Sequence, residues 1–473
     1  MVDPDKDIAS GKVPSFASRR NLLKVIGGTS VAAFAGCLGD DDDDDADDTA
    51  PADDDDDADD ADDGDDTDPA DHDPIGNWPI EDDEAVFGLN APLTGILAPD
   101  GEDQERGFEL AIEHLNNGGG AVDYIDDLSG DGVLDYEIDY VISDSAGDDA
   151  ASIENVERMA DRDNIQFWTG GVSSGVCEAL QPVAQRERVP YITSIPAADP
   201  ITGENCVRYH FRSNMMADQM TRAIGQNAEE VIGEDMDYFI IYQDYSYGHS
   251  NRDGYRRHLP DSWEEVGSAG IAFGETDHTS QIADADAADP DVICVVSFGD
   301  ALAALMSQVR DAGMDQQIVI AGTTPFSHET AGSASEGAIG TIDWNSQIDT
   351  DANNAFVEAY EDEYGQAPTY AAACVYDDTL QYAAAVEQTG TFHPPSVIRT
   401  LEEYSWDYMR GARQYRECDH QAEVPVSLVR GIDPDDVDET GEVLELITVG
   451  EPYVYDCDEE PGASCEMPEY GDE

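Results

Sequence analysis

The sequence predicts an α/β protein built as two doubly wound lobes. Strands alternate with helices in two consecutive series, and glycine-bearing loops follow the strands. Hydrophobic residues make up 40% of the chain and include 21 Tyr, 12 Phe and 5 Trp, enough for two cores. At 473 residues the chain exceeds what a single core usually organises, so two or three compact units are expected.

The first series opens with the strand Ala85-Val86-Phe87-Gly88-Leu89-Asn90. A helix over 105–116 follows, with Phe108, Ala111, Ile112 and Leu115 at amphipathic spacing, and Gly118-Gly119-Gly120 stops it. Strands at 136–142, 165–168 and 189–192 enclose helices at 150–161 and 176–186. The second series begins with Tyr238-Phe239-Ile240-Ile241-Tyr242. It continues through a helix at 249–258, strands at 271–273 and 292–297, a helix at 302–311 and a strand at 318–320. Parallel sheets bind ligands beyond the carboxyl ends of their strands, so two facing lobes place their loops around one cleft.

Charge restricts the partners. Lys+Arg total 22 against Asp+Glu 107, a formal net charge of -85, which repels nucleic acid and anionic lipid headgroups. The lysines are Lys6, Lys12 and Lys24, so beyond Cys37 the cations other than histidine are arginines. At molar salt the screening length falls to about 3 Å. Such a surface predicts a salt-adapted protein that loses structure at low salt.

The N-terminal run Ser18-Arg19-Arg20-Asn21-Leu22-Leu23-Lys24, a short apolar stretch over 25–34 and Ala35-Gly36-Cys37 resemble a twin-arginine export signal ending in a lipobox. The stretch is shorter than the ~20 residues of a membrane span. Lipidation of Cys37 would anchor the chain at the extracellular face of the cell membrane. Between Asp40 and Asp73 stand 22 aspartates and no Lys or Arg, and residues 38–84 are expected to form a disordered, solvated tether.

The body carries a further resemblance. Asn90-Ala91-Pro92-Leu93-Thr94-Gly95, Leu115-Asn116 before a Gly run, Ser143-Asp144-Ser145, Gly170-Gly171-Val172-Ser173-Ser174 and Val189-Pro190-Tyr191-Ile192 are similar to the type I solute-binding proteins of ABC importers. So are Asp244-Tyr245-Ser246-Tyr247-Gly248, Arg310-Asp311-Ala312-Gly313, Tyr376-Asp377-Asp378 and Asp419-His420-Gln421, and the match runs from about residue 85 to about residue 430. The branched-chain amino-acid and amide-binding branch is the most similar group. The resemblance implies two Rossmann-like lobes joined by three hinge crossings, placed near Arg212, near Asp343 and over 419–424. Lobe 1 would hold 85–212 and 344–419, and lobe 2 would hold 213–343 and 420–473. It also implies a small-molecule solute, an ABC permease with its ATPase subunits as partners, and neither cofactor nor catalysis.

Candidate ligand residues follow. The loop before the helix at 176 brings backbone N–H groups and the hydroxyls of Ser173 and Ser174 to a helix N-terminus, where the dipole favours an anion. By resemblance Ser174 matches the serine that binds a ligand carboxylate, with backbone groups of Ala197 and Ala198 beside it; Ala198 stands where amino-acid binders carry threonine. Tyr247, Phe298, Thr323 and Thr324 would close from lobe 2. Thr324 stands near where those binders place an acid for the ammonium group, so amides and small carboxylates remain open beside leucine-like amino acids.

Other readings compete. Ser173 and Ser174 also suit a helix cap, and Tyr247, Phe298 and Tyr370 suit ordinary core positions. Gly171-Val172-Ser173-Ser174-Gly175 fits G-x-S-x-G, so a secreted serine hydrolase would use Ser173 with Asp377 and His420. A sensory receptor of the same fold would share the cleft and differ in partner. The nine histidines show neither H-E-x-x-H nor C-x-x-C, so zinc has no sequence support, and the calcium-loop-like Asp127–Gly132 run has Ile138 at its twelfth position. With Cys37 assigned to lipid, seven cysteines remain and at least one thiol is unpaired. Cys177 with Cys206, and a pair among Cys418, Cys457 and Cys465, are the candidate bridges, while Cys294 and Cys374 read as buried.

Overall fold

The computed structural model describes residues 72–433, 436–437, 443–448, 450 and 456–471. The chain divides into units of residues 1–65 and 66–473. The first lies outside the described residues, as do the export segment, Cys37 and nearly all of the aspartate run. No described helix is long and apolar enough to cross a membrane.

The first series comprises β1 (Glu84–Ala91), α1 (Ala98–Asn117), β2 (Glu137–Asp144), α2 (Asp149–Asp163), β3 (Phe167–Thr169), α3 (Ser174–Glu187), β4 (Tyr191–Thr193) and β5 (His210–Arg212). The second comprises α4 (Ala217–Val231), β6 (Asp237–Gln243), α5 (Ser246–His258), β7 (Glu264–Ile271), α6 (Thr279–Ala288), β8 (Val292–Val296), α7 (Gly299–Asp311), β9 (Gln317–Ile320), α8 (Pro325–Ala331) and β10 (Ile339–Ile342). Then come α9 (Asp351–Tyr364), α10 (Tyr370–Thr389), α11 (Pro394–Glu403), the hairpin β11 (Ser405–Asp407) and β12 (Ala412–Gln414), β13 (Ser427–Gly431) and β14 (Leu444–Thr448).

Two sheets organise these elements. The first has the order β2-β1-β3-β4-β5 with every pair parallel. Its inner strands are buried on both faces, so Phe-Trp-Thr of β3 and Tyr-Ile-Thr of β4 need no polar alternation. The second has the order β14-β13-β10-β9-β8-β6-β7, parallel except at β13 and β14. Its central β8, Val-Ile-Cys-Val-Val, is wholly buried. The helices begin earlier than apolar spacing indicates, because their first turns are polar: α1 starts at Ala98 and α5 at Ser246. The strand expected at 271–273 is instead the end of β7 at Ile271, and Phe273 leaves the sheet at 40% exposure.

After β10 the chain returns to the first lobe. Tyr360 of α9 donates to Asp103 of α1 at 3.2 Å, and α10 is buried from Ala371 to Val386. A helix buried on every face belongs in a core, and the polar Asp377, Asp378, Thr379 and Gln381 are buried with the rest of this one. Gly107 lets α1 approach it, since a Cβ there would lie 2.3 Å from the Ala372 carbonyl oxygen. Phe167 stacks on Tyr382 of α10 at 4.2 Å between ring centroids. Each such buried aromatic contributes about 2–3 kcal/mol through area removed from water. Arg212 at the end of β5 bridges Gln421, so the first and third passages between the lobes run side by side.

Three expectations are corrected. Residues 72–84 are ordered: Asn77 Nδ2 donates to the carbonyls of Ala160 and Ile165 at 3.2 and 2.8 Å, and Trp78 meets the His393 ring edge-on at 5.0 Å. Ile75 and Trp78 supply the apolar anchors that the aspartate run lacks. Residues 456–471 lie on the first lobe rather than with the second. The Tyr470 ring lies under the guanidinium groups of Arg208 and Arg399 at 4.4 and 4.2 Å, and its carbonyl accepts from the Tyr209 hydroxyl at 2.7 Å. Cys206 pairs with Cys465, not with Cys177, and Cys418 pairs with Cys457. Cys177, Cys294 and Cys374 are free and buried.

Candidate functional site

The loop after β3 turns at Gly170, where a φ of +102° and a Cβ that would lie 2.7 Å from Leu89 Cδ1 exclude a side chain. It delivers Ser173 to the N-cap position of α3, half-buried and with no side-chain capping bond. Ser174 is 2% exposed, and its Oγ accepts from the backbone N–H groups of Ala197 and Ala198, each at 3.3 Å. The three residues singled out in the first lobe beside Ser173 are therefore in direct contact. Ala198 is anchored in turn, its carbonyl accepting from Arg212 Nη1 at 2.6 Å.

A residue not singled out from the sequence holds this loop. Gln104 of α1 is fully buried; its Nε2 donates to the Gly171 carbonyl and Ser194 Oγ, both at 2.9 Å, and its Oε1 accepts from Gly171 N–H at 3.2 Å. The signal was a polar residue one helical repeat before Phe108, on the buried stripe. The loop after β1 is fixed similarly. Asp144 Oδ1 accepts from the backbone N–H groups of Leu93 and Thr94 at 2.9 and 3.2 Å, and its Oδ2 accepts from Thr94 Oγ1 at 2.7 Å. Burial raises the Asp144 pKa, but these bonds and one from Ala146 N–H outweigh it and hold the carboxyl below its ordinary value.

In the second lobe the aromatic residues form one wall. The Tyr247 hydroxyl donates to the Ala321 carbonyl at 2.6 Å, and burial pushes this phenol up. Phe298 lies 6.3 Å from Tyr247 and 6.0 Å from Phe273, which in turn meets Tyr245 edge-on at 5.0 Å. Tyr245 and Phe273 were not singled out as site residues. Thr323 has a partner within its own lobe: its hydroxyl lies 2.9 Å from Nε2 of His328, whose pKa burial lowers to about 4, so the ring is neutral. Thr324 stands at the N-cap position of α8 without a side-chain capping bond, its Oγ1 3.3 Å from Ser327 Oγ.

The lobes meet at two places around this constellation. A Cβ on Gly274, after β7, would lie 2.8 Å from Ile96 Cδ1, after β1. On α5, the Ser246 hydroxyl donates to the Glu178 carboxylate of α3, and Ser250 Oγ accepts from Asp199 N–H at 3.1 Å. A groove of about 430 Å³ beside this second contact is lined by Asp199, Gly203, His249, Arg257 and Pro461, and Ser174 does not line it.

The hydrolase constellation is not assembled. His420 Nε2 lies 2.7 Å from Glu402 Oε1 and its Nδ1 3.0 Å from the His210 carbonyl, while Asp377 Oδ1 accepts from Trp406 Nε1. Both ring nitrogens are thus engaged with partners other than Ser173. Among the described residues no group of three or more His, Cys, Asp or Glu is arranged to hold a metal ion.

Comparison with known proteins agrees with this architecture. The chain is 26% identical over 305 residues to the Leu/Ile/Val-binding protein homolog 8 of Brucella abortus, covering 60% of this chain and 71% of that protein. A solved amino acid ABC transporter substrate-binding protein from Pseudomonas fluorescens superposes with a TM-score of 0.73 at 20% identity, covering 80% of this chain and 99% of that one. An ABC transporter solute-binding protein of R. palustris in complex with benzoate gives 0.68 at 21% identity, covering 81% and 99%. Residues 85–436 match the family model described as periplasmic binding protein, and on that span of the chain, with its two parallel-sheet lobes, this protein belongs to the periplasmic binding protein family.

Proposed function

We propose that the protein captures a small solute bearing a carboxylate or amide oxygen and an apolar body, and delivers it to an ABC permease driven by its ATPase subunits. The observation that carries this reading is the contact of Ser174 with Ala197 and Ala198 at the carboxyl ends of β3 and β4. The Ser174 hydroxyl has its own proton to donate to a solute oxygen, and the first turn of α3 favours negative charge. Tyr245, Tyr247, Phe273 and Phe298, packed on one another in the second lobe, would supply an apolar wall for the body of the solute. Branched-chain amino acids, as named for the Brucella relatives, and aromatic carboxylates, as bound by the R. palustris protein, both fit that description.

Capture requires no chemical step. A solute that touches both lobes favours their closed arrangement, and one that touches a single lobe shifts nothing. We further propose export through the twin-arginine route and lipid attachment at Cys37, with the aspartate run as the tether. A thermal-shift screen in molar salt with L-leucine, L-isoleucine, short amides and benzoate tests the reading. A cognate solute raises the melting point as RT ln(1 + [L]/Kd) predicts. No rise with any of these classes rejects the proposed solute.

A further inference from the structure

We propose that the ion pair between Arg410 and Asp343 is a hinge latch that sets the balance between closed and open lobes, and with it the affinity for the solute. The consequence for affinity rests on the solute-binding reading above; the latch itself rests on geometry. Arg410 lies between β11 and β12, a hairpin fastened to the first lobe because Trp406 Nε1 donates to Asp377 Oδ1 and the Tyr415 hydroxyl to Gln381 Oε1, both at 2.8 Å. Asp343 directly follows β10 and so moves with the second sheet. Arg410 Nη2 donates to Asp343 Oδ2 at 2.9 Å, and the same oxygen accepts from Met215 N–H at 3.1 Å. Arg413 Nη1 donates to the Ser213 carbonyl at 2.8 Å, so one hairpin grips both the first and the second passage between the lobes.

The cluster is buried yet not saturated. Arg410, Asp343, Asp377 and Asp378 are exposed by 1%, 4%, 1% and 0%. Asp343 Oδ1, Asp377 Oδ2, Asp378 Oδ1 and Arg410 Nε have no hydrogen-bond partner. Asp377 Oδ2 and Asp378 Oδ1 lie 3.7 and 4.0 Å from Arg410 Nη1, close enough to attract and too far to bond. A buried guanidinium that lost Asp343 with nothing to replace it would carry a heavy penalty. Here a rotation that carries Asp343 away lets Arg410 close on Asp377 and Asp378, exchanging one set of ionic bonds for another. Two discrete arrangements of one buried side chain are the kind of element that makes a hinge bistable. In the present structure the lobes touch at Ile96–Gly274 and Ser246–Glu178, so the Arg410–Asp343 bond belongs to the closed arrangement.

The test pairs Arg410→Gln with Asp343→Asn, which removes both charges and keeps hydrogen-bonding capacity. Small-angle scattering of the solute-free protein in molar salt should show a larger radius of gyration than wild type. The affinity for L-leucine or benzoate, whichever raises the melting point, should fall by about tenfold through the smaller closed fraction. A folded double variant with unchanged scattering overturns the latch. A double variant that opens in a protein binding neither solute keeps the latch and rejects the solute class instead. Amide hydrogen exchange on the unmodified, solute-free protein decides the matter if the variant does not fold. The Met215 N–H should exchange through hinge opening well before the Val295 N–H in the core of β8, and equal protection at the two overturns the proposal.

Discussion

Cys206 and Cys465 are joined by a disulfide across 259 residues of sequence, which fixes the C-terminal segment to the loop that precedes β5. A bridge over so long a loop acts chiefly by restricting the unfolded chain, and removing one from a folded domain costs about 2–5 kcal/mol. Cys465→Ser should therefore lower the unfolding free energy by that amount in a denaturant titration. It should leave Tyr470 seated between Arg208 and Arg399, because those contacts do not involve the bridge. An unchanged midpoint would show that the segment is held by its other contacts alone.

Ser174→Ala tests the solute site with little disturbance of the fold. The substitution leaves the N–H groups of Ala197 and Ala198 without their acceptor, a loss of about 1 kcal/mol in stability. The thermal shift produced by a cognate solute should nearly vanish. A shift equal to wild type would move the site away from the N-terminus of α3.

Gln104→Leu separates positioning from contact, since Gln104 holds the Gly171 backbone and Ser194 from beneath. Leucine matches the volume roughly but strands a buried carbonyl and N–H, so stability should fall by about 1–3 kcal/mol. Solute affinity should fall as well, while Gln104→Glu, with an acceptor in place of the donating amide, should not restore it. Wild-type affinity in the leucine variant would mean that the loop after β3 keeps its shape without this clamp.

Much of the architecture was legible because its signals are local. The strand of Phe87 and Leu89, the amphipathic stripe of Phe108 and Leu115 and the glycine turn at Gly170 each announce themselves within a few residues. The contact of Ser174 with Ala197 and Ala198 was accessible through the succession of βα units and the family resemblance. What escaped depended on distance along the chain. No local pattern pairs Cys206 with Cys465, seats Tyr470 between Arg208 and Arg399, or directs Gln104 to Gly171. For a related reason the sequence did not show the partner of Thr323, whose hydroxyl lies 2.9 Å from Nε2 of His328, five residues later.

The acidic composition predicts a stability that depends on salt. With a formal net charge of -85, repulsion reaches about 10 Å at 0.1 M salt and about 3 Å at 1 M. Circular dichroism melts should show a melting point that climbs steeply as salt rises from the lower to the higher of these concentrations. Equal melting points would mean that the carboxylates are too widely spaced for their repulsion to matter.

Asp199 adds a pH dependence of opposite sign to the usual one for a carboxylate. Its N–H reaches Ser250 in the second lobe and its Oδ1 accepts from Asp218 N–H at 3.0 Å, so it lies at the lobe contact. Burial first, and then the neighbouring Asp218 charge, raise its pKa from 3.8 to about 6. A carboxyl that holds its proton more tightly in the fold than in the unfolded chain supports the fold below its unfolded pKa. That support is lost as pH rises from about 4 through about 6, a change of about 3 kcal/mol. Asn at this position resembles the protonated form, so Asp199→Asn should match wild type near pH 4 and become the more stable of the two by pH 7. Denaturant titrations of both proteins across that range measure the difference, and parallel curves would show that Asp199 is ionised in the fold as readily as in the open chain.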